Sequence, residues 1–162
     1  LVRALFVHEP TIAGTAVTDP ESQAILKRER AGLAPVREAV KHGNAAEATR
    51  LFADWTNDQP GGFDALPPET RAMHLDNAHT VALHFERPAP PKVTCSDLGQ
   101  LKMPLGITTG ELTRPFFKIL AETAHRCVPG SRLIVIPGAR HAATAQNPAA
   151  FNEALLSFLS SH

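Results

Sequence analysis

Three short apolar runs, rich in β-branched residues, punctuate a chain whose other hydrophobic positions fall at helical spacing. Ala4–His8 (ALFVH), Leu105–Thr109 (LGITT) and Arg132–Ile136 (RLIVI) each read as a buried strand. Each is stopped by proline or glycine: Glu9-Pro10 after the first, Gly110 after the second, Pro137-Gly138 after the third. Pro115 opens a helix to about Cys127 with Phe116, Ile119, Leu120 and Ala124 on its inner side. Pro148 opens another, with Phe151, Leu155, Phe158 and Leu159 on one face. Strand, helix, strand, helix at this spacing is a βαβ unit, so the strands are expected to run parallel.

Between the first two strands the pattern is helical. Asp19 suits an N-cap with Pro20 at the first helical position, and that helix ends at Gly32. A second runs from about Pro35 to His42. A third begins near Asn44 and carries Ala48, Leu51, Phe52 and Trp55 on one side. Pro60-Gly61-Gly62 is a strong turn signal. A fourth helix is expected from Pro67 or Pro68 to about Phe85, with Met73, Ala78, Val81, Ala82 and Phe85 inward. Arg87 to Pro91 reads as stiff and extended, and Asp97–Leu101 as a short helical turn. The domain reading is a sheet unit of residues 1–10 and 92–162 with a helical insert at 11–91.

Composition narrows the function classes. The 162 residues suffice for one domain with a real core, and the formal net charge is zero. A nucleic-acid partner would usually bring a basic excess, so none is expected. No apolar run approaches a membrane span, so no membrane partner is expected either. No signal-peptide pattern is visible, and a chain starting at Leu1 inside a strand reads as a fragment. Cys95 and Cys127 lack CxxC spacing and read as two buried free thiols, which points to a reducing, cytoplasmic setting.

Two residues stand where strands exit. His141 follows the third strand in PGARH, and Glu9 sits at the tip of the first. Ligands of open α/β sheets bind at that edge. His74, His79 and His84 recur every five residues, a step that cannot keep them on one helix face, so no metal site is expected from them.

LFVHEP, LKMPLGITTGE, and LIVIPGARH followed by NPAAFNEALLSFL together resemble, in order and spacing, the sixth to eighth strands of the α/β-hydrolase fold family. The insert occupies the place of that family's helical cap. The resemblance implies the C-terminal portion of an α/β-hydrolase sheet: three parallel strands with flanking helices, plus an inserted cap. It implies a cofactor-free hydrolase acting on an ester or related small apolar substrate, with His141 as general base.

The family's usual acid position, three residues past the glycine ending the seventh strand, is Thr113 here, which cannot be an orienting anion. Glu9, at a place some members use, is the favoured substitute, and Glu111 is the alternative. No G-x-S-x-G turn occurs; Ser131 in PGSRL enters a strand instead of leaving one. The nucleophile and oxyanion donors are therefore expected outside this chain, in an N-terminal half of the same fold. Without that half, the first strand should show an unpaired edge and the chain should self-associate. The alternative reading is a non-catalytic ligand-binding module on the same scaffold.

Overall fold

The computed structural model describes residues 2–88 and 91–162. These fall into two compact units, residues 1–26 with 91–162, and residues 27–90.

The first unit is built on a sheet of three parallel strands in the order β1 (Leu5–His8), β2 (Leu105–Gly110), β3 (Arg132–Ile136). Val7 lies opposite Ile107, and Ile107 opposite Leu133. β2 is buried at all six residues, as a central strand covered on both faces must be. On one face lies α7 (Pro115–Cys127). There Leu105 and Ile107 pack against Ala121, Ala124 and Val128, with Leu5, Val7 and Leu133 at the margin. On the other lies α9 (Pro148–Ser160). A Cβ at Gly106 would meet the Phe6 ring at 2.8 Å and the Phe158 ring at 3.0 Å, so glycine is what lets α9 sit this close. Alternation along the strand sorts the chemistry too: His8 and Thr108 share the α9 face with Phe6.

Residues 11–26, expected in the insert, pack with the sheet unit. Thr11–Thr15 forms a 3₁₀ turn and α1 (Pro20–Ala31) follows. Val17 and Leu26 are buried with Leu120 of α7. The reason is tertiary, because an apolar stripe on a helix does not say which partner will cover it.

The second unit holds the rest of α1 with α2 (Ala34–Lys41), α3 (Ala45–Thr56), α4 (Pro68–Asp76) and α5 (Ala78–Glu86). Leu33, Val36 and Ala48 form its core, flanked by Phe52, Trp55, Val81 and Phe85. The single helix expected over 67–85 is two. Asn77 breaks it: its side-chain amide donates to the Met73 carbonyl at 2.8 Å, and Thr80 Oγ1 donates to the Asn77 carbonyl. Such local bonds compete with the helical ladder. Met73, expected inward, is 56% exposed. The proline run expected to be extended includes residues 89 and 90, which lie outside the described residues.

Around β2 the elements are α6 (Cys95–Leu98), α7, α8 (Ala143–Gln146) and α9. Thr94 and Asp97 form a reciprocal capping box on α6. On α7 it is Phe117, not the expected Phe116, that is buried. On α9 Leu159 is 50% exposed, although Phe158 beside it is fully buried. The two cysteines are not free. Cys95 and Cys127 form a disulfide that ties α6 to the end of α7. Two cysteines at no motif spacing give no sign of pairing, and only the packing of these elements brings their Cα atoms to 4.9 Å. The free-thiol ground for a reducing compartment goes with that correction. No helix among the described residues is long and apolar enough to cross a membrane.

Candidate active site

The site forms where the tips of β1, β2 and β3 meet. Glu9 continues the ladder by donating its N–H to the Thr108 carbonyl at 2.9 Å. It then adopts φ +44°, the left-handed region, directly before a proline. Residues before proline normally stay extended, and a non-glycine residue at positive φ costs about 1–3 kcal/mol. The turn places the Glu9 carboxylate among the three strand tips, at 2% exposure.

There every oxygen is served. Oε1 accepts from Gly110 N–H at 2.9 Å and from the Thr109 hydroxyl at 3.1 Å. Oε2 accepts from the Thr113 hydroxyl at 3.1 Å and from His141 Nδ1 at 2.6 Å. Burial pushes the Glu9 carboxyl up. The bonds from His141 and Gly110 and the neighbouring imidazoles outweigh that and hold it below its usual value. Glu9 is thus an anion with four donors, paired to His141.

His141 is held by its loop. A side chain at Gly110 would collide with the carbonyls of Ala139 and Arg140, so glycine lets the histidine loop cross the β2 tip in contact with its backbone. Glu111 N–H donates to the Ile136 carbonyl and Leu112 N–H to the Ala139 carbonyl. Glu111 does not reach His141; its carboxylate accepts from Gly138 N–H at 2.8 Å and clamps the turn after β3. Asn147 caps α9 with Oδ1 and donates from Nδ2 to the Pro137 carbonyl, closing the far side of the loop. The His141 ring lies flat on Phe117, with centroids 4.0 Å apart and planes at 11°. Nδ1 is spent on Glu9. No serine, cysteine or aspartate among the described residues bonds to Nε2.

Three participants were not read from sequence: His8, Thr113 as a donor, and Phe117. Only His8 left a signal, as the residue next to Glu9 at a strand exit. Ser131 does meet a histidine, His125 Nδ1 at 2.8 Å, but it also donates to the Val128 carbonyl, and it precedes β3 at the opposite end of the sheet. Of the spaced histidines, His74 lies against Phe63 and His84 against Phe52 and Phe85. Among the described residues, His8, Glu9 and His141 are the group whose ligand atoms could converge on a metal, lying within 4.8 Å of one another. Within that group Glu9 Oε2 already bonds Nδ1 of His141, and Nε2 of His8 bonds a carbonyl.

No family model matches the chain, and no curated protein matches it in sequence. Solved structures do. MenH from S. aureus superposes with a TM-score of 0.69 at 18% identity, over 99% of this chain. The carboxylesterase CesB (YbfK) from Bacillus subtilis superposes at 0.57 with 20% identity, again over 99%. This is the α/β-hydrolase fold. The chain spans 59% and 52% of those two proteins' lengths, and its sheet corresponds to the C-terminal half of the α/β-hydrolase fold. In hydrolase-fold terms β1, β2 and β3 are the strands expected as sixth, seventh and eighth. Thr113 follows β2, and its hydroxyl donates to the Glu9 carboxylate.

Proposed function

We propose that this chain supplies the base and the orienting acid of a cofactor-free hydrolase acting on an ester or related small apolar substrate, with the helices of the insert as its cap. The observation that carries this reading is the 2.6 Å contact between His141 Nδ1 and a buried Glu9 carboxylate. A carboxylate accepting Nδ1–H leaves the lone pair on Nε2, the nitrogen a general base uses.

In the reaction, Nε2 takes the proton of a nucleophilic hydroxyl as its oxygen attacks the ester carbon. The imidazolium so formed is stabilised by the Glu9 anion and by the face of Phe117. It then returns the proton to the leaving alkoxide. The hydroxyl and the oxyanion donors come from a strand–turn–helix segment of the same fold outside these residues. That segment docks on the edge of β1 away from β2, which no strand pairs among the described residues.

The test is an assay on short acyl esters with the 162-residue chain alone and joined to a segment bearing a G-x-S-x-G turn. The chain alone should show no turnover and should self-associate on size exclusion. The joined protein should turn over substrate, and His141→Ala should remove at least about a thousandfold of that rate. Turnover by the chain alone would place the nucleophile within it. A joined, folded protein that binds apolar esters without cleaving them would favour a binding module.

A further inference from the structure

We infer that His8 is a positioning residue for His141, latching the histidine loop through its main chain. The inference deepens the proposed chemistry and rests on His141 being its base. His8 is the last residue of β1, opposite Thr108 of β2. Its Nε2 lies 2.9 Å from the His141 carbonyl oxygen. A carbonyl can only accept, so this nitrogen carries the proton. The other nitrogen, Nδ1, lies 3.0 Å from Thr108 Oγ1, which also lies 3.2 Å from the Val7 carbonyl.

Those distances give the latch an unusual property. In the neutral ring the Thr108 hydroxyl donates to Nδ1. In the protonated ring Nδ1–H donates to Oγ1, and the hydroxyl turns its own proton to Val7. Either charge state keeps Nε2–H on the His141 carbonyl. Thr108 is fully buried, so its hydroxyl turns between these two partners. Burial lowers the His8 pKa, which leaves the ring neutral near pH 7. The groups facing it are the Glu9 carboxylate at 3.9 Å, the His141 ring at 5.8 Å, Thr108, and the Phe151 ring edge-on at 5.8 Å.

The role follows from what the other contacts leave free. Glu9 fixes one atom of the His141 ring and Phe117 covers one face. The loop's other anchors hold Gly138, Ala139 and Arg140, and His8 takes the carbonyl of His141 itself. A small displacement of a base is costly in rate, so anchoring the carbonyl beside the ring is what keeps Nε2 aimed.

The test reads His141 directly and needs no turnover. Long-range ¹⁵N–¹H spectra of the labelled 162-residue chain should show His8 as the Nε2–H tautomer and His141 as the Nδ1–H tautomer. His8→Phe keeps a ring and removes the donor; His8→Gln returns an N–H donor at similar reach. His8→Phe should speed solvent exchange of the His141 Nδ1 proton by about tenfold, the scale of one hydrogen bond. His8→Gln should recover most of that loss. Unchanged exchange in His8→Phe, or equal behaviour of the two variants, overturns the latch. If His8→Phe does not fold, the wild-type tautomer decides, and an Nδ1–H form at His8 overturns it. The ester assay fails separately: silent chemistry with a loosened Nδ1 proton leaves the latch standing and removes the base assignment.

Discussion

Thr113 donates its hydroxyl to Oε2 of Glu9 across 3.1 Å, on the same oxygen that takes the Nδ1–H of His141. A residue just past the end of β2 is therefore a donor to a carboxylate arriving from the neighbouring strand tip. Thr113→Val keeps the shape and removes the donor. It should destabilise the chain by about 1–3 kcal/mol, the range for losing a bond to a buried charged group. It should also raise the Glu9 pKa, read by carboxyl ¹³C titration; an unmoved pKa would mean the hydroxyl is not a partner of the anion.

Glu9 should set the acid limit of stability. Its folded pKa lies below the ordinary 4.5, so the folded state holds fewer protons than the unfolded chain near that value. Its contribution is whole above pH 4.5 and fades as pH falls through the lower, folded pKa. In urea titrations across that window, Glu9→Gln should be less stable than wild type at pH 7. The gap should narrow as pH falls. A gap that stays constant with pH would show that Glu9 does not titrate with folding.

His8 should contribute a second, separate loss at higher pH. Burial holds its folded pKa below 6.5, so the unfolded chain takes up the proton first as pH falls. Stability should decline as pH drops from about 6.5 to the folded value, then level off. His8→Gln removes the titrating group and should flatten that part of the stability profile. The same slope in the variant would assign it to another histidine.

Gly110 allows no side chain. Gly110→Ala should push the histidine loop off the β2 tip, because the new methyl meets the Ala139 and Arg140 carbonyls. The expected result is a loss of about 1–3 kcal/mol, the usual scale for overpacking. With it should go the downfield Nδ1 proton signal of His141. A variant that keeps both would show that the loop has room to yield.

The Cys95–Cys127 bridge closes a loop across 32 positions. The chain-entropy relation gives such a loop about 3–4 kcal/mol of stabilisation. Reduction, or Cys95→Ser with Cys127→Ser, should lower the unfolding free energy read from urea titration by that amount. It should leave the Glu9–His141 contact intact, since Phe117 lies at the opposite end of α7 from Cys127. Intact-mass measurement before and after alkylation checks the bond itself.

The sequence alone determined the elements that repeat a simple period. β1, β2 and β3 are short, mostly apolar runs between prolines and glycines, a length and flanking that read as strands; β2 is buried throughout as expected, while β1 is half-buried and Val135 of β3 is 53% exposed. Pro20, Pro115 and Pro148 each stand at a helix start, where fixed φ and a missing N–H cost nothing. His141 and Glu9 were legible as residues at strand exits, because strand order and direction put those ends on one edge. Tertiary structure decided what local pattern does not encode. It split the helix at Asn77, where side-chain bonds beat propensity, and sent residues 11–26 to the sheet unit. It joined Cys95 to Cys127 across a separation with no motif. It turned Glu9 back at positive φ onto Gly110, Thr113 and His141. It also set His8 on the carbonyl of a residue 133 positions away. Contacts of that range depend on which faces meet, and a face meets its partner only after the strands have found their register.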